Sequence, residues 1–338
     1  MAEATVSAGY AKSLLDLAVI KGANSGALLT RAGIADETLC DADNRLPFAN
    51  FVALMRAAKA ETGDPALALE FGARSDLRRF SIVGLLSHAS ANMTEALTQL
   101  NRYGGLVVEV DGIADGPRFR LTGSNSTRWM EDRRANPNDF IELTESTWSR
   151  FITTARNDFP QHTYALETHV THPAPAYRAR YEEIWQVPVT FGSHWNAIRS
   201  DPSWEHVQIQ PDNRYVFGVL TERGDALLKE LEDAKTLRGR IEALIMPLLH
   251  TGDVSIDTIA AKLSTSRQTL YRNLKTEGVT FEQLLDELRH RMALNYLAAN
   301  KVSINETAYL VGFSDPASFS RAFKRWTGKS PREWRLTQ

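Results

Sequence analysis

Cysteine is almost absent from the chain, whose 338 residues include only Cys40. A single cysteine excludes an internal disulfide framework and is typical of proteins in a reducing compartment. The sequence also lacks an uncharged apolar run of the ~18–20 residues that a membrane-spanning helix needs. Its first residues lack the basic stretch and the apolar run of a secretory signal. We therefore expect a cytoplasmic protein with no membrane contact.

Motifs of catalysis and cofactor binding are also scarce. No glycine-rich loop suited to phosphate is present, and Cys40 has no nearby histidine or aspartate pattern that would make it a nucleophile. His162, His169, His172 and His194 lie within 33 residues, and a zinc site built from three or four of them is one interpretation. We favour ordinary surface and core histidines, because strand alternation places His162 and His169 on opposite faces. We expect no metal, no cofactor and no enzymatic activity.

The net charge of −2 hides an uneven distribution along the chain. Positions 238–338 carry 15 basic and 10 acidic residues, whereas the preceding positions carry 24 basic and 31 acidic ones. A basic end on an acidic body indicates that only the end meets a polyanion such as nucleic acid. Such a surplus also occurs on ordinary solvated surfaces, so the inference needs support from a motif.

The last hundred residues contain an internal repeat. The stretch SIDTIAAKLSTSRQTLYRNLKTEG, which starts at Ser255, matches SINETAYLVGFSDPASFSRAFKRWTG, which starts at Ser303. Equivalent residues are 48 positions apart up to Ser266 and Ser314, and 49 apart from Leu270 onward. Such self-similarity means that one supersecondary unit occurs twice.

Each unit is predicted to be a helix followed by a tight turn and a second helix. Ser255 is the expected cap of the first helix in one unit, and Ser303 opens a capping box in the other. Gly312 marks the sharp turn of the second unit, and Ser314 is the expected cap of the helix that follows it.

The second helix of each unit separates its side chains into two faces. With about 100° of rotation per residue, Leu270 and Leu274 form the apolar stripe of one helix, and Phe319 and Phe323 that of the other. Basic, small and polar residues share the opposite face, as a helix in the major groove of DNA requires. A solvated face is the alternative for any one residue, but two such faces in register favour nucleic-acid binding. The expected base-reading residues are Arg267, Gln268, Tyr271, Arg272, Ala317, Ser320 and Arg321, and the expected phosphate contacts are Ser266, Lys275, Ser314, Lys324 and Arg325.

This C-terminal pattern resembles the AraC/XylS family of transcription regulators. The resemblance covers about residues 237–338 and rests mainly on positions 304–314, 319–326, 328–331 and 266–272. It implies seven helices, of which a linking helix holds the two units so that they enter successive major grooves. By this resemblance Gln268 and Tyr271 stand at variable base-reading positions. Pro316 and Ala317 stand at such positions in the second unit, which leaves base reading there mainly to Arg321, and Ser264 replaces a frequent turn glycine.

Residues 1 to about 215 mix helix and strand patterns, which indicates an α+β domain. Helical periodicity extends over residues 10–20, 48–62 and 94–103, and residues 139–156 are predicted to form an amphipathic helix. Residues 105–111 and 118–122 flank the turn sequence IADG and are predicted to form a hairpin. Residues 163–170 and 187–191 are predicted strands on either side of a helix with Tyr177, Tyr181 and Trp185.

The first part resembles the effector-binding half of an AraC/XylS subgroup that includes regulators of amino-acid use. Matching features lie at positions 71–72, 84–87, 96–103 and 187–191. The resemblance implies a sensor domain of the arabinose-binding type and no particular ligand. The candidate effector-binding residues are Arg78, Arg79 and Arg102, which suit a carboxylate, with Trp185 and Trp195 from aromatic-rich stretches. Exposed salt bridges and plain core packing are the alternatives.

Taken together, the patterns predict an α+β N-terminal sensor domain followed by an all-α domain with two helix-turn-helix units. The expected boundaries are 1–215 for effector sensing and oligomerisation, 216–236 for a helical linker and 237–338 for DNA binding, with units at about 255–277 and 303–327. We expect a sequence-specific transcription regulator controlled by a small-molecule effector, with activation favoured on family grounds. Promoter DNA, the effector and RNA polymerase are the expected partners, and a homodimer stays open. An enzymatic N-terminal half, against which the lone cysteine argues, and an architectural DNA-binding protein without a ligand are the alternatives.

Overall fold

The structure is a computed structural model that describes residues 3–110, 113, 116–124, 127–209, 214–299 and 301–336. It divides into two compact units, Met1–Leu228 and Lys229–Gln338. The division falls within helix α9 (Arg214–Lys235), where the predicted linker 216–236 lies. None of the helices in the described ranges has the length and the apolar character needed to cross a bilayer.

The first unit begins with a helical half. Strands β1 (Thr5–Ser7) and β2 (Arg45–Pro47) pair antiparallel, and the aromatic rings of Tyr10, Phe51 and Phe71 pack together in the core. The predicted helices over 10–20, 48–62 and 94–103 are confirmed, because their apolar residues recur at helical spacing and face this core. The helices are α1 (Ala8–Ile20), α2 (Ser25–Ala32), α3 (Phe48–Thr62), α4 (Leu67–Arg74), α5 (Ile82–Ala89) and α6 (Met93–Tyr103).

A five-stranded sheet completes the first unit. Its spatial order is β3-β4-β7-β5-β6, and neighbouring strands are antiparallel except for the parallel pair β5 and β6. Helix α8 (Ala179–Trp185) lies between these two in sequence, so the predicted strand-helix-strand arrangement is confirmed. The strands are β3 (Phe119–Ser124), β4 (Thr127–Asp132), β5 (Ala165–His169), β6 (Val189–Thr190) and β7 (Asn196–Ser200).

The predicted hairpin is wrong in its pairing. Residues 104–106 form a 3₁₀ turn and Val108 bridges to Val6, while β3 pairs with β4. The connection between β3 and β4 is short, so β3 pairs with the strand that follows it in sequence rather than with residues 105–111. The prediction failed because the sequence of β4, TRWMED, has no apolar-polar alternation: Trp129 and Met130 are adjacent, and the buried Asp132 is neutralised by Arg118 and Arg134. Part of the IADG turn lies outside the described residues.

Residues 139–156 were predicted to form an amphipathic helix, but the first half of helix α7 (Ile141–Asp158) is buried on every side. Eight consecutive residues, 143–150, are buried, because α7 contacts α4 and α8 and shares a hydrophobic cluster with the sheet. Gly72 allows the close approach of α4, since a Cβ there would lie 2.2 Å from the Ser146 carbonyl oxygen. Several buried polar residues of α7 hydrogen-bond to neighbouring elements, since Ser149 Oγ accepts the Trp185 indole N–H at 2.7 Å and Arg150 donates to the Tyr10 hydroxyl.

The second unit is all-helical. In its described part seven α-helices follow the division, as the resemblance implies: α10 (Leu237–Ile245), α11 (Ile256–Lys262), α12 (Arg267–Thr276), α13 (Phe281–Ala299), α14 (Ile304–Leu310), α15 (Pro316–Thr327) and α16 (Pro331–Arg335). The caps Ser255 and Ser303 are confirmed, the latter in a complete capping box. One apolar cluster joins the helices, with Leu270, Leu274, Phe319 and Phe323 at its centre.

The turns of the two repeats share one residue position with left-handed backbone geometry. Gly312 has φ +82°, and a Cβ there would lie 2.3 Å from the Leu249 carbonyl oxygen. Ser264, the residue 48 positions earlier, adopts the same left-handed region with φ +52°. The first helices of both units therefore end in the same left-handed conformation, which the first unit achieves with a strained serine.

The predicted cap Ser314 is wrong, because Asp315 caps α15. The residue inserted in the second repeat lies within its turn, so the partner of Ser266 is 49 positions later rather than 48. Aspartate caps a helix as well as serine does, and its carboxylate accepts the Ser318 amide at 2.8 Å.

Candidate nucleic-acid interface and effector pocket

The predicted groove-facing surface of α12 is exposed. Leu270 and Leu274 are each 1 % exposed, while the opposite face of the helix meets solvent. Within the described residues, the side chains of Arg272 and Lys275 form no hydrogen bond or ion pair. The exposed set comprises Arg267, Gln268, Tyr271, Arg272 and Lys275.

Helix α15 repeats this arrangement. Phe319 and Phe323 are fully buried, and Ala317, Arg321, Lys324 and Arg325 are exposed. Ser320 is half-buried, and its hydroxyl donates to the Pro316 carbonyl at 2.9 Å, so its hydrogen is already used. Both second helices thus present a cationic face opposite a hydrophobic core.

The predicted phosphate contacts lie at the ends of these two helices. Ser266 caps α12 and Ser314 is exposed in the turn before α15. Arg325 pairs with Asp286 at 2.8 Å while remaining 66 % exposed, and Arg267 pairs with Asp257 at 3.1 Å. Exposed pairs of this kind are weak and exchange readily with a phosphate partner.

Arg321 belongs to a chain of hydrogen bonds that the sequence analysis missed. Its Nη2 donates to Ser318 Oγ at 2.8 Å, and Ser318 Oγ donates to Asp315 Oδ2 at 2.6 Å. The signal was present, because the 49-residue offset aligns Asp315 and Ser318 with Ser266 and Thr269. The two hydrogen bonds from Ser318 lower the pKa of Asp315, so the cap is a carboxylate.

The first unit contains a pocket of about 210 Å³. Residues of α5, α6 and α7 form its walls, Leu121 and Met130 of β3 and β4 contribute, and Trp204 lies on the 3₁₀ turn that follows β7. Most of its lining is apolar. Such a concave apolar site with a few polar groups is the usual form of a small-molecule site.

The charged groups of the pocket are balanced. Arg78 pairs with Asp76 at 2.8 Å and with Asp158 at 3.0 Å, and Glu205 pairs with Arg128 beside the pocket. Arg150 completes the set, and its Nη2 donates to the Tyr10 hydroxyl at 2.8 Å. All three carboxylates are therefore already paired with arginines, whereas Arg150 is held by hydroxyl groups.

The five predicted effector residues do not converge on one site. Arg78 lines the pocket, whereas the other four lie outside its lining. Arg79 is exposed, and Arg102 pairs with Asp225 at 2.8 Å. Trp185 is fully buried in the core, and the Trp195 ring packs against that of Trp129. Of the aromatic stretches, Trp204 contributes to the pocket, which periodicity could not reveal.

Three of the four candidate histidines make separate side-chain contacts, and His162 is exposed. His169 lies 2.8 Å from Glu167 and 3.0 Å from Ser193, while His172 is buried 3.2 Å from the Tyr181 hydroxyl. His194 stacks on Trp195. Among the described residues, no three His, Cys, Asp or Glu side chains gather as a ligand set for a metal ion.

Comparison with known proteins identifies both halves of the chain. Residues 22–206 match the model of the arabinose-binding domain of AraC transcription regulators, and residues 259–337 match a helix-turn-helix domain. The ornithine utilization regulator of Pseudomonas aeruginosa is 30% identical over 334 residues, covering 98% of this chain and 96% of that protein. The chain belongs to the AraC family of transcription regulators.

Two further proteins are similar to this AraC-family regulator. The urease operon transcriptional activator of Escherichia coli is 41% identical over 81 residues, 24% of this chain and 27% of that protein. The crystal structure of CdpR from Pseudomonas aeruginosa, at 22% identity and a TM-score of 0.43, covers 92% of this chain and 96% of that one. The protein is thus a DNA-binding transcription regulator with an N-terminal ligand-binding domain. The relatives it matches are transcription regulators.

Proposed function

We propose that α12 and α15 are the two DNA-reading helices of this regulator, with Arg272 and Arg321 each holding a guanine edge through two hydrogen bonds. The supporting observation is that both arginines are exposed, 49 positions apart, on cationic faces opposite one shared core. Gln268 and Tyr271 assist in the first unit, and basic residues later on each helix meet phosphates. The similarity to the urease operon activator supports activation, and contact with RNA polymerase is the route we propose for it.

Binding-site selection with the full-length protein tests this assignment. Arg272→Ala and Arg321→Ala should each cost about 1–3 kcal/mol on the selected duplex and relax the preference at one base pair. Arg332→Ala, an exposed arginine on α16, is the matched control and should leave the base profile unchanged. Identical profiles for the wild type and both groove-face variants would overturn the assignment.

We also propose that the pocket of the first unit is the effector site, with Arg78 inside it, and that this half binds its ligand without catalysis. Because most of the lining is apolar and its three carboxylates are already paired with arginines, the ligand that fits is uncharged and largely apolar. A zwitterionic amino acid would need unpaired countercharges, since burying a charge without a partner is costly. The relative named for ornithine utilization makes ornithine the natural competitor of this proposal.

A thermal-shift comparison separates the two ligand classes. Uncharged apolar compounds such as indole and cyclohexanol should raise the melting temperature of the full-length protein, and ornithine should not. Ala96→Phe, which fills the pocket, should abolish the shift, whereas Ala60→Phe on exposed α3 surface should keep it. A shift with ornithine that Ala96→Phe removes would contradict the proposed ligand class and retain the site. Size-exclusion chromatography with light scattering decides whether a homodimer forms.

A further inference from the structure

We propose that Asp315 and Ser318 are positioning residues that hold the Arg321 guanidinium ready for base reading, so that the second unit discriminates bases more stringently than the first. The inference rests on the proposed base contact of Arg321. It names two residues that need not touch DNA themselves.

The hydrogen-bond chain that holds Arg321 is separate from the helix cap. Asp315 Oδ1 accepts the Ser318 backbone amide at 2.8 Å, which is the capping bond. Asp315 Oδ2 accepts the Ser318 hydroxyl at 2.6 Å, and that hydroxyl accepts Arg321 Nη2 at 2.8 Å. One carboxylate thus caps the helix with one oxygen and holds Ser318, and through it Arg321, with the other.

The chain leaves the recognition edge of the guanidinium free. Arginine has five N–H donors in a rigid plane, and Ser318 uses one of them. The remaining donors include a parallel pair that matches the two acceptors of a guanine edge. Holding the side chain in place beforehand reduces the conformational entropy lost on binding, which for a long side chain is a substantial cost.

The first helix-turn-helix unit has residues at the equivalent positions but lacks this chain of hydrogen bonds. Ser266 and Thr269 correspond to Asp315 and Ser318, and their hydroxyl oxygens lie 2.9 Å apart. Arg272 corresponds to Arg321, yet within the described residues its side chain has no hydrogen-bond partner. A hydroxyl cap therefore replaces the carboxylate in the unit whose arginine is unrestrained.

Charge gives a second reason for linking Asp315 to Arg321. A carboxylate at a helix start opposes the approach of DNA phosphates, which such a site otherwise favours. The nearby positive charge of Arg321 stabilises the charged form of Asp315. The second unit thus gives up a phosphate site at the start of α15 and gains a fixed arginine.

Binding-site selection with full-length Ser318→Ala and Asp315→Asn tests the inference. Both variants keep the capping bond from the backbone amide of residue 318. Ser318→Ala removes the hydroxyl that donates to the carboxylate, and Asp315→Asn removes the carboxylate oxygen that accepts it. We expect the preference at the Arg321 base pair to fall about two- to tenfold, as the release of one long side chain predicts. Preferences at other base pairs and the melting temperature should stay unchanged, which a merely structural role would not produce.

Thr269→Ala at the equivalent position of the first unit is the control and should leave discrimination by Arg272 intact. If Arg321→Ala erases one base preference while Ser318→Ala leaves it at full strength, the inference fails and the proposed base contact stands. If Arg321→Ala leaves the profile unchanged, the base contact itself is wrong and the inference falls with it.

Discussion

Glu145 is a fully buried acid whose carboxyl group is held by two tyrosine hydroxyls. It lies in the middle of α7, and Oε1 accepts hydrogen bonds from the Tyr177 hydroxyl at 2.8 Å and the Tyr181 hydroxyl at 2.5 Å. Among the described residues, Oε2 has no hydrogen-bond partner. Burial raises the pKa of Glu145 to about 7, against the opposing effect of the two tyrosines.

Glu145→Gln should remove a pH dependence of stability. Because the folded-state pKa lies above the unfolded one, the free energy of unfolding is highest below about pH 4.5 and falls as the pH rises through 7. The loss amounts to about 3 kcal/mol, and the denaturant midpoint of the glutamine variant should vary less with pH across this range than that of the wild type. Urea titrations between pH 5 and 8 measure it. Equal slopes with pH for the wild type and the variant, with exposed Glu222→Gln as reference, would contradict the assignment.

At this scale the sequence predicts core residues better than capping and pocket residues. Leu270, Leu274, Phe319 and Phe323 were placed correctly, because helical spacing and hydrophobicity alone decide burial. Asp315 was missed because a one-residue insertion within a turn shifts the alignment, and periodicity does not detect it. Pocket residues depend on contacts between distant segments, which a local pattern does not contain.

Among the elements, the turns of the two repeats show how different residues adopt the same left-handed backbone conformation. Gly312 meets no steric penalty at positive φ, and Ser264 holds the same conformation at a cost of about 1 kcal/mol or more. The turns connect α11 to α12 and α14 to α15, so they set the angle at which each second helix is presented.

Substitutions in the turns should therefore have opposite signs. Ser264→Gly should raise the free energy of unfolding by between 0 and about 1 kcal/mol, since relief of strain is partly offset by unfolded-state entropy. Gly312→Ala should lower it by more than about 2 kcal/mol, because a Cβ would lie 2.3 Å from the Leu249 carbonyl oxygen. Gly328→Ala, at φ +75° with open space around the Cβ, is the matched control for dihedral strain alone. Guanidinium unfolding provides the values, and equal losses at 312 and 328 would refute the steric argument.

Helices were predictable as elements, and the sheet was predictable in part. Capping residues and apolar spacing identify α3, α6 and the helices of the second unit almost to the residue. Strands β4 and β7 were missed because charged and polar residues interrupt their alternation. The burial of α7 was also missed, since its polar residues resemble a solvated face in the sequence but hydrogen-bond to neighbouring elements, as Glu145 does to Tyr177 and Tyr181.

At the scale of the whole molecule, the basic residues are concentrated toward the C-terminal end of the sequence and the acidic residues before it. The basic surplus after position 238 includes Lys275 and Lys324, both exposed on the predicted groove-facing helices. DNA affinity of such a protein falls with salt in proportion to the number of phosphates it neutralises.

Lys275→Gln and Lys324→Gln should each reduce the slope of log affinity against log salt concentration by about 1, and weaken all DNA sequences equally. Fluorescence anisotropy over a salt series measures the slope. Lys12→Gln, which makes the same charge change in the first unit, should leave the slope unaltered. A wild-type slope for both groove-facing variants would exclude these lysines from the phosphate contacts.

Each repeat of the second unit brings its own cap, its own turn residue and its own arginine. On the proposed assignment, a mutation in one repeat changes recognition of one half of an operator and leaves recognition of the other half as it was.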